Sequence, residues 1–404
     1  MNFSPNYRPK VVFISSRFPF PIDKGDKLRA YFQIRDLSAF FDLILICTSE
    51  VKISEKEYNE LNTFCKEIHV FYLKKSNIFI RLFFNIFKSL PFQVSYFYSF
   101  IVQKRIDEIL KKTEPDHIFC QLIRSAEYVK NYHYCSKSID VMDALSLGMK
   151  RRLSSSSFFI KWIIRVEYKR LLEYEKYVLD YFENKFIISE EDRSHLLYPE
   201  KQKIMVLANG VNEKFLTKRN EIIEKEFDLL FTGNMGYFPN IEATLFIYKE
   251  LFPELKKMGL KTVICGTNPS PQIIKLNNPS FVITGWVKEI KTYYANSKLF
   301  IAPMFSGSGM QNKIIEAMAM GIPCICTSMS NKSINATHLN EIYIADNKNE
   351  MLNAIILLLN DKELYLKLSQ NSHTFVKNHF DWKIINSTLK ENILNSIQSY
   401  NNYH

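Results

Sequence analysis

A pair of doubly wound α/β domains is predicted for this 404-residue chain from three observations. The length exceeds what one hydrophobic core usually fills and suits two domains of roughly 200 residues each. Short β-branched or aromatic runs alternate with longer amphipathic runs, the pattern of parallel sheets covered by helices. A polar, highly charged stretch from Asn212 to Glu226 interrupts that alternation, which then restarts. The expected division is a first domain at 1–211, a linker at 212–226, a second domain at 227–381 and a final helix at 382–404.

Strands are expected at Val11–Ser15, Leu43–Thr48, His69–Leu73, His117–Gln121, Ser138–Val141, Lys185–Ile188 and Ile204–Ala208, about seven crossings for one sheet. Helices fill the gaps. Ser189-Glu190-Glu191-Asp192 marks a helix start, because the serine hydroxyl can satisfy an early amide. Asn209-Gly210 is a turn dipeptide ahead of the linker. The second sheet is expected from Phe227–Thr232, Thr262–Cys265, Phe281–Thr284, Leu299–Ala302 and Pro323–Thr327. The tail from Trp382 to Ile397 keeps helical spacing through Ile384, Ile385, Leu389, Ile393 and Leu394.

A composition of 47% hydrophobic and 24% charged residues, with 11 Gly and 14 Pro, excludes collagen-like, low-complexity and largely disordered classes. No apolar run of about 20 residues occurs, since the richest is broken at Arg81. The amino-terminal segment lacks a secretory pattern, so a cytoplasmic protein is expected, with peripheral attachment at the inner membrane face as an addition. Seven scattered Cys without any CxxC suit reduced, buried thiols better than disulfides or zinc. The net charge of +11 is uneven: residues 1–209 hold 33 Lys and Arg against 25 Asp and Glu. The windows 74–112 and 150–170 carry that excess and are rich in aromatics, which suggests an anionic partner.

In open parallel sheets ligands bind beyond the carboxyl ends of the strands. The most informative loop there is FSGSGMQNKIIEAMAMG, Phe305 to Gly321, between a strand and a helix beginning near Gln311. Its glycines allow close backbone approach, and a helix amino terminus presents free amides to phosphate oxygens. Lys313 would add a full positive charge against a diphosphate, and Glu316 could accept hydrogen bonds from two ribose hydroxyls. An ordinary βα turn with a solvated Lys and Glu satisfies the same spacing.

The run GSGMQNKIIEAMAMGIPCICT resembles the donor-binding segment of retaining glycosyltransferases of family 4, which have the GT-B fold. IMVLANGVNEKF, DLLFTGNMGYFPNIEA, VITGWVKEIKTYYANSKLFIAPM and VVFISSRFPFPIDKGDKLRAY are similar to further family segments, in the family's order. The likeness covers most of the chain, is weakest between about 50 and 115, and is nearest to bacterial capsule and exopolysaccharide sugar transferases. It implies two Rossmann-like domains facing across a cleft, an acceptor on the first, a nucleotide sugar on the second, and a final helix that crosses back. By the same resemblance Glu316 holds the donor ribose, and Gly307, Ser308, Gly309, Met310 and Gln311 meet the diphosphate. Gly25 approaches the same phosphates. Gly233, Asn234 and Met235 form the loop after the second domain's first strand, Gly266, Trp286 and Val287 hold the base, and no metal or other cofactor is expected.

The chain departs from the family pattern twice. Ser308 stands where many members carry the first of two glutamates, and after Gly233 the next basic residue is Lys249, well inside a helix. Charge stabilisation is therefore expected to fall to Lys313 and backbone amides. In SRFPFPIDKGDKLR, Arg17 and Arg29 are candidates for acceptor or phosphate contact, a solvated basic turn being the alternative. Arg124 in CQLIRSAEYV and Asp143 in SIDVMDALSLGMKRR are further acceptor-side candidates, a structural role for Asp143 being as good a reading. No HExxH, P-loop or GxGxxG after the first strand occurs, which disfavours metalloprotease, ATPase and dinucleotide redox chemistry. His117, at a strand start, reads as a packing residue.

The expected function is transfer of a sugar from a nucleotide-diphosphate sugar, UDP- or GDP-linked, to a glycan or lipid-linked acceptor of bacterial surface polysaccharide synthesis. Retention and metal independence come from the resemblance. A nucleotide-sugar 2-epimerase of the same fold and a noncatalytic membrane-associated binding subunit are the alternatives. FFIKWIIRVEYKR at 158–170 reads either as an interfacial helix or as a long helix packing its aromatics inward. No nucleic-acid module accompanies the charge.

Overall fold

The computed structural model describes residues 7–155, 158–217, 225–306 and 310–403. The chain divides into two compact units, Met1–Ala208 with Ile385–His404, and Asn209–Ile384. Each is an α/β unit around a parallel sheet.

The first sheet comprises β1 (Lys10–Ser15), β2 (Asp42–Ser49), β3 (Glu67–Tyr72), β4 (His117–Gln121), β5 (Ser136–Asp140), β6 (Asn184–Ile187) and β7 (Met205–Val206). The strand order β3-β2-β1-β4-β5-β6-β7 puts the topological switch between β1 and β4. Val11, Val12, Phe13 and Ile14 are all buried, as expected of a strand covered on both faces. The marked helix start is present: Ser189 Oγ accepts from the Asp192 amide at 3.1 Å and caps the helix Glu190–His195. His117 is buried, its Nδ1 lies 2.7 Å from Ser136 Oγ, and burial pulls its pKa down to about 3, a packing role. The helix Trp382–Tyr403 brings Ile385, Leu389, Ile393 and Ile397 into this unit's core.

The second sheet comprises β8 (Phe227–Thr232), β9 (Thr262–Cys265), β10 (Phe281–Gly285), β11 (Ser297–Ala302), β12 (Cys324–Cys326) and β13 (Tyr343–Ile344), ordered β10-β9-β8-β11-β12-β13. The switch lies between β8 and β11. β13 is absent from the sequence expectation because two residues are too short a run to show periodicity. The segment expected as Ile204–Ala208 pairs only over Met205–Val206, where Met205 and Val206 meet Phe186 and Ile187. Inside the expected linker, Glu213–Leu216 forms a helix capped by the Asn212 side chain, and Val211 bridges to Asp381. All seven cysteines are buried and unpaired.

Candidate functional site

Three glycines end successive strands of the second sheet and set the floor of the candidate donor site. Gly233 donates its amide to Cys265 O at 2.9 Å, and Gly266 donates to Gly285 O at 3.1 Å. A Cβ on Gly266 would lie 1.7 Å from Gly233 O, and one on Gly233 would lie 2.7 Å from Asn240 Nδ2. Gly285 takes φ +69°, the left-handed region open to glycine, and turns the chain outward at Trp286, which is 70% exposed. Val287 follows, half-buried.

The helix Asn312–Ala319 rises from the loop after β11 and carries Lys313 and Glu316 three residues apart, hence on one face. The Lys313 ammonium donates to Asn240 Oδ1 and lies 4.9 Å from the centre of the Phe231 ring on β8. Asn240 Nδ2 donates in turn to Asn234 O at 2.9 Å. Burial lowers the Lys313 pKa to about 8, against the opposing pull of Glu316. Glu316 is driven the other way, up to about 7, because burial disfavours its charge more than the Tyr294 hydrogen bond and nearby lysines favour it. Tyr294 is fully buried, and its hydroxyl reaches Glu316 Oε2 at 3.1 Å and Thr232 Oγ1 at 2.8 Å. The opposite pKa shifts therefore leave a titratable pair at the sheet's carboxyl edge.

Of the sequence candidates for donor contact, Lys313, Glu316, Gly233, Asn234 and Gly266 come together here. Asn234 folds over its own turn, Oδ1 accepting from the Gly236 amide at 2.9 Å. Met310 and Gln311 lead into the helix, half-buried. Met235 is a correction: its side chain is 1% exposed, its sulfur accepts from Thr244 at 3.4 Å and its amide is taken by Thr267 O, so it packs the core instead of meeting a ligand. Gly307, Ser308 and Gly309 lie outside the described residues. Asn240 and Tyr294 were missed by sequence reasoning. The available signal was a polar group at a position that helical spacing assigns to the core.

In the first unit, Gly25 opens the helix Gly25–Leu37 beyond β1, with Met142 Cε 3.3 Å from where a Cβ would stand. Arg17 and Arg124 both stack on the Phe97 ring, their guanidinium carbons 5.2 and 5.6 Å from its centre. They share one carboxylate: Arg17 pairs with Asp26, and Arg124 Nη1 lies 4.0 Å from Asp26 Oδ2. Arg124 also donates to Gln93 Oε1 at 2.8 Å, while its buried Nε finds no acceptor among the described residues. Burial and the neighbouring Arg17 lower the Arg124 pKa. Arg17 also lines a cavity of about 340 Å³ whose wall carries charge of both signs, Lys24 and Lys27 facing Asp23, Glu50 and Glu57, with Lys27 paired to Asp23 at 2.9 Å.

Arg29 does not belong to that group. It is fully buried, donating from Nε to Asp140 Oδ2 at 2.6 Å and from Nη1 to Ala208 O at 3.1 Å, so it ties strand ends together and presents nothing to an acceptor. Asp143 is half-buried, and burial together with the Asp192 charge raises its pKa to about 6.

Residues 226–361 match the family of glycosyl transferases, group 1. The chain is 22% identical over 405 residues to an uncharacterized 44.6 kDa protein in the cps region of Klebsiella pneumoniae, covering 95% of this chain and 100% of that one. It is 24% identical over 210 residues to an uncharacterized glycosyltransferase of Haemophilus influenzae, 49% of this chain and 58% of that one. Among solved structures it is similar to Anabaena HepE in complex with UDP and glucose, with a TM-score of 0.63 at 12% identity over 96% of this chain and 100% of that one. The fold is that of GT-B glycosyltransferases. The chain is a glycosyltransferase.

Proposed function

We propose that this enzyme transfers a sugar from a nucleotide-diphosphate sugar, UDP- or GDP-linked, to a glycan or lipid-linked acceptor in bacterial surface polysaccharide synthesis, with retention and without a metal. The observation that carries the reading is the pairing of Lys313 and Glu316 on one helix face at the carboxyl edge of β8 and β11. A buried ammonium suits an oxygen that gains negative charge as the diphosphate departs. Tyr294 takes one carboxylate oxygen of Glu316, and the other accepts from the donor's hydroxyls. Trp286 offers an exposed indole for the base, and the Arg17–Arg124 pair an acceptor-side anion site. Solved HepE holds UDP and glucose in the same fold, which supports a nucleotide-sugar donor.

The test is release of nucleoside diphosphate from a panel of UDP-, GDP- and TDP-sugars, with EDTA present and membrane lipid extract as acceptor. Release from one donor that needs the extract, survives EDTA and disappears in Glu316→Ala is expected. Nucleotide binding with no release from any donor would overturn the reading.

A further inference from the structure

The helix Lys75–Asn85 turns an apolar face outward. Phe79, Ile80, Phe83 and Phe84 are exposed, and Phe87, just beyond the helix, is 82% exposed. The helix Phe158–Val178 adds Trp162, 67% exposed, and Ile163 near its start. Arg170 joins the two elements by donating to Asn85 O at 3.0 Å and Ile86 O at 2.9 Å. Ile163 precedes Arg170 by two helical turns and so shares its face of the second helix. Of the 158–170 run, Trp162 and Ile163 face outward while Ile164 packs inward, and the side chains of Phe158 and Phe159 lie outside the described residues.

The charge around this face has one sign. From Lys74 to Arg105 every charged residue is basic, and Lys161 and Arg165 are the charged residues from Phe158 to Val166. Lys74, Lys75 and Lys88 are exposed at the two ends of the first helix. A second copy of the chain would set like charges against each other. A surface that is apolar within and anionic at its rim complements both properties, and that describes a bilayer containing acidic lipids. Among the described residues no helix is long and apolar enough to cross a membrane.

We propose that this face docks on an anionic membrane, the helix Lys75–Asn85 lying in the plane of the interface. Phe79, Phe83, Phe87 and Trp162 enter the acyl boundary while Lys74, Lys75 and Lys88 meet lipid phosphates. The face is coupled to the arginine pair by short contacts: Arg81 donates to Tyr96 O at 3.2 Å, and Gln93 on the helix Phe92–Phe97 accepts from Arg124. An acceptor anchored in the bilayer would so be delivered to Arg17 and Arg124. That consequence rests on the proposed acceptor, whereas the docking itself does not.

The test is flotation of the full chain with phosphatidylcholine vesicles, alone or with about 30% phosphatidylglycerol, at low and high salt. Binding to the anionic vesicles only, weakened by salt, is expected. Phe83→Ser with Phe87→Ser should lower the partition by about tenfold or more, and Lys74→Gln with Lys75→Gln by a similar factor. In the unaltered protein, lipids brominated in their acyl chains should quench Trp162 fluorescence, read against Trp162→Phe; this holds the test open even where a variant fails to fold. Absence of vesicle binding, binding indifferent to these substitutions, or concentration-dependent self-association abolished by the Phe pair would each overturn the proposal. None of these readouts needs donor turnover, so failure here is distinct from failure of the proposed transfer.

Discussion

Lys313 and Asn240, 73 positions apart, meet through a hydrogen bond from the ammonium to Asn240 Oδ1. The same amide side chain donates to Asn234 O, so one residue holds both the charged group and the glycine loop after β8. Asn240→Ala should therefore weaken donor binding by about tenfold or more, since a buried ammonium loses its acceptor and the loop its tether. Lys313→Ala should cut turnover by roughly 10²-fold or more if the ammonium meets the departing diphosphate. Calorimetric donor titration and steady-state kinetics on both variants check this, and unchanged turnover in Lys313→Ala removes it from the chemistry.

The pH profile follows from the opposed shifts. Glu316, raised to about 7, is protonated below that pH and loses acceptor capacity for donor hydroxyls. Lys313, lowered to about 8, is neutral above that pH and loses its charge. Donor kcat/KM, which reports the free enzyme, should be bell-shaped with limbs near 7 and 8. Asn240→Asp sets a carboxylate against the ammonium and should move the alkaline limb upward. A profile that is flat across both limbs would sink the assignment.

Gly266 has no room for a methyl group, because the carbonyl of Gly233 occupies that space. Gly266→Ala should force β8 and β9 apart at their carboxyl ends and destabilise the second unit by about 3 kcal/mol or more, as overpacking against rigid backbone does. Gly148→Ala, where nothing lies within 4 Å of the new carbon, is the control. Thermal unfolding of both variants gives the comparison.

Arg29 and Asp140 form an ion pair with both side chains wholly inaccessible. Arg29→Met should cost about 3–5 kcal/mol, since it strands a buried carboxylate. Arg29→Met with Asp140→Asn should recover much of that loss, because the uncompensated charge goes too. Denaturant unfolding measures both. A raised acceptor KM with unchanged stability would return Arg29 to the binding surface.

The sheets were legible because strands buried on both faces announce themselves as unbroken apolar runs. His117–Gln121, Phe227–Thr232 and Thr262–Cys265 match the structure residue for residue. Strands of two residues, Met205–Val206 and Tyr343–Ile344, are fixed by partners distant in sequence and leave no local trace. Lys313 and Glu316 could be placed near a strand's carboxyl end because, in the sequence, a Gly- and Ser-rich run separates an apolar strand-like stretch from a helical one. Asn240 and Tyr294 could not, since their role comes from reaching across from other helices. Arg29 shows the converse error: a basic residue next to a promising loop looks ligand-facing until the carboxylate that buries it, 111 positions away, is known.

The helix Trp382–Tyr403 has a kinetic consequence. Its residues from Ile385 onward belong to the unit formed by Met1–Ala208, yet the ribosome delivers them only after the whole of Asn209–Ile384. At about 5–20 residues per second the first sheet waits roughly 10–35 s without Leu389, Ile393 and Ile397 to cover it. During that interval the nascent first unit holds an open apolar flank while the second unit is able to close. The order of maturation is then the reverse of the order of synthesis, and chaperone dependence in this protein should concentrate on its amino-terminal half.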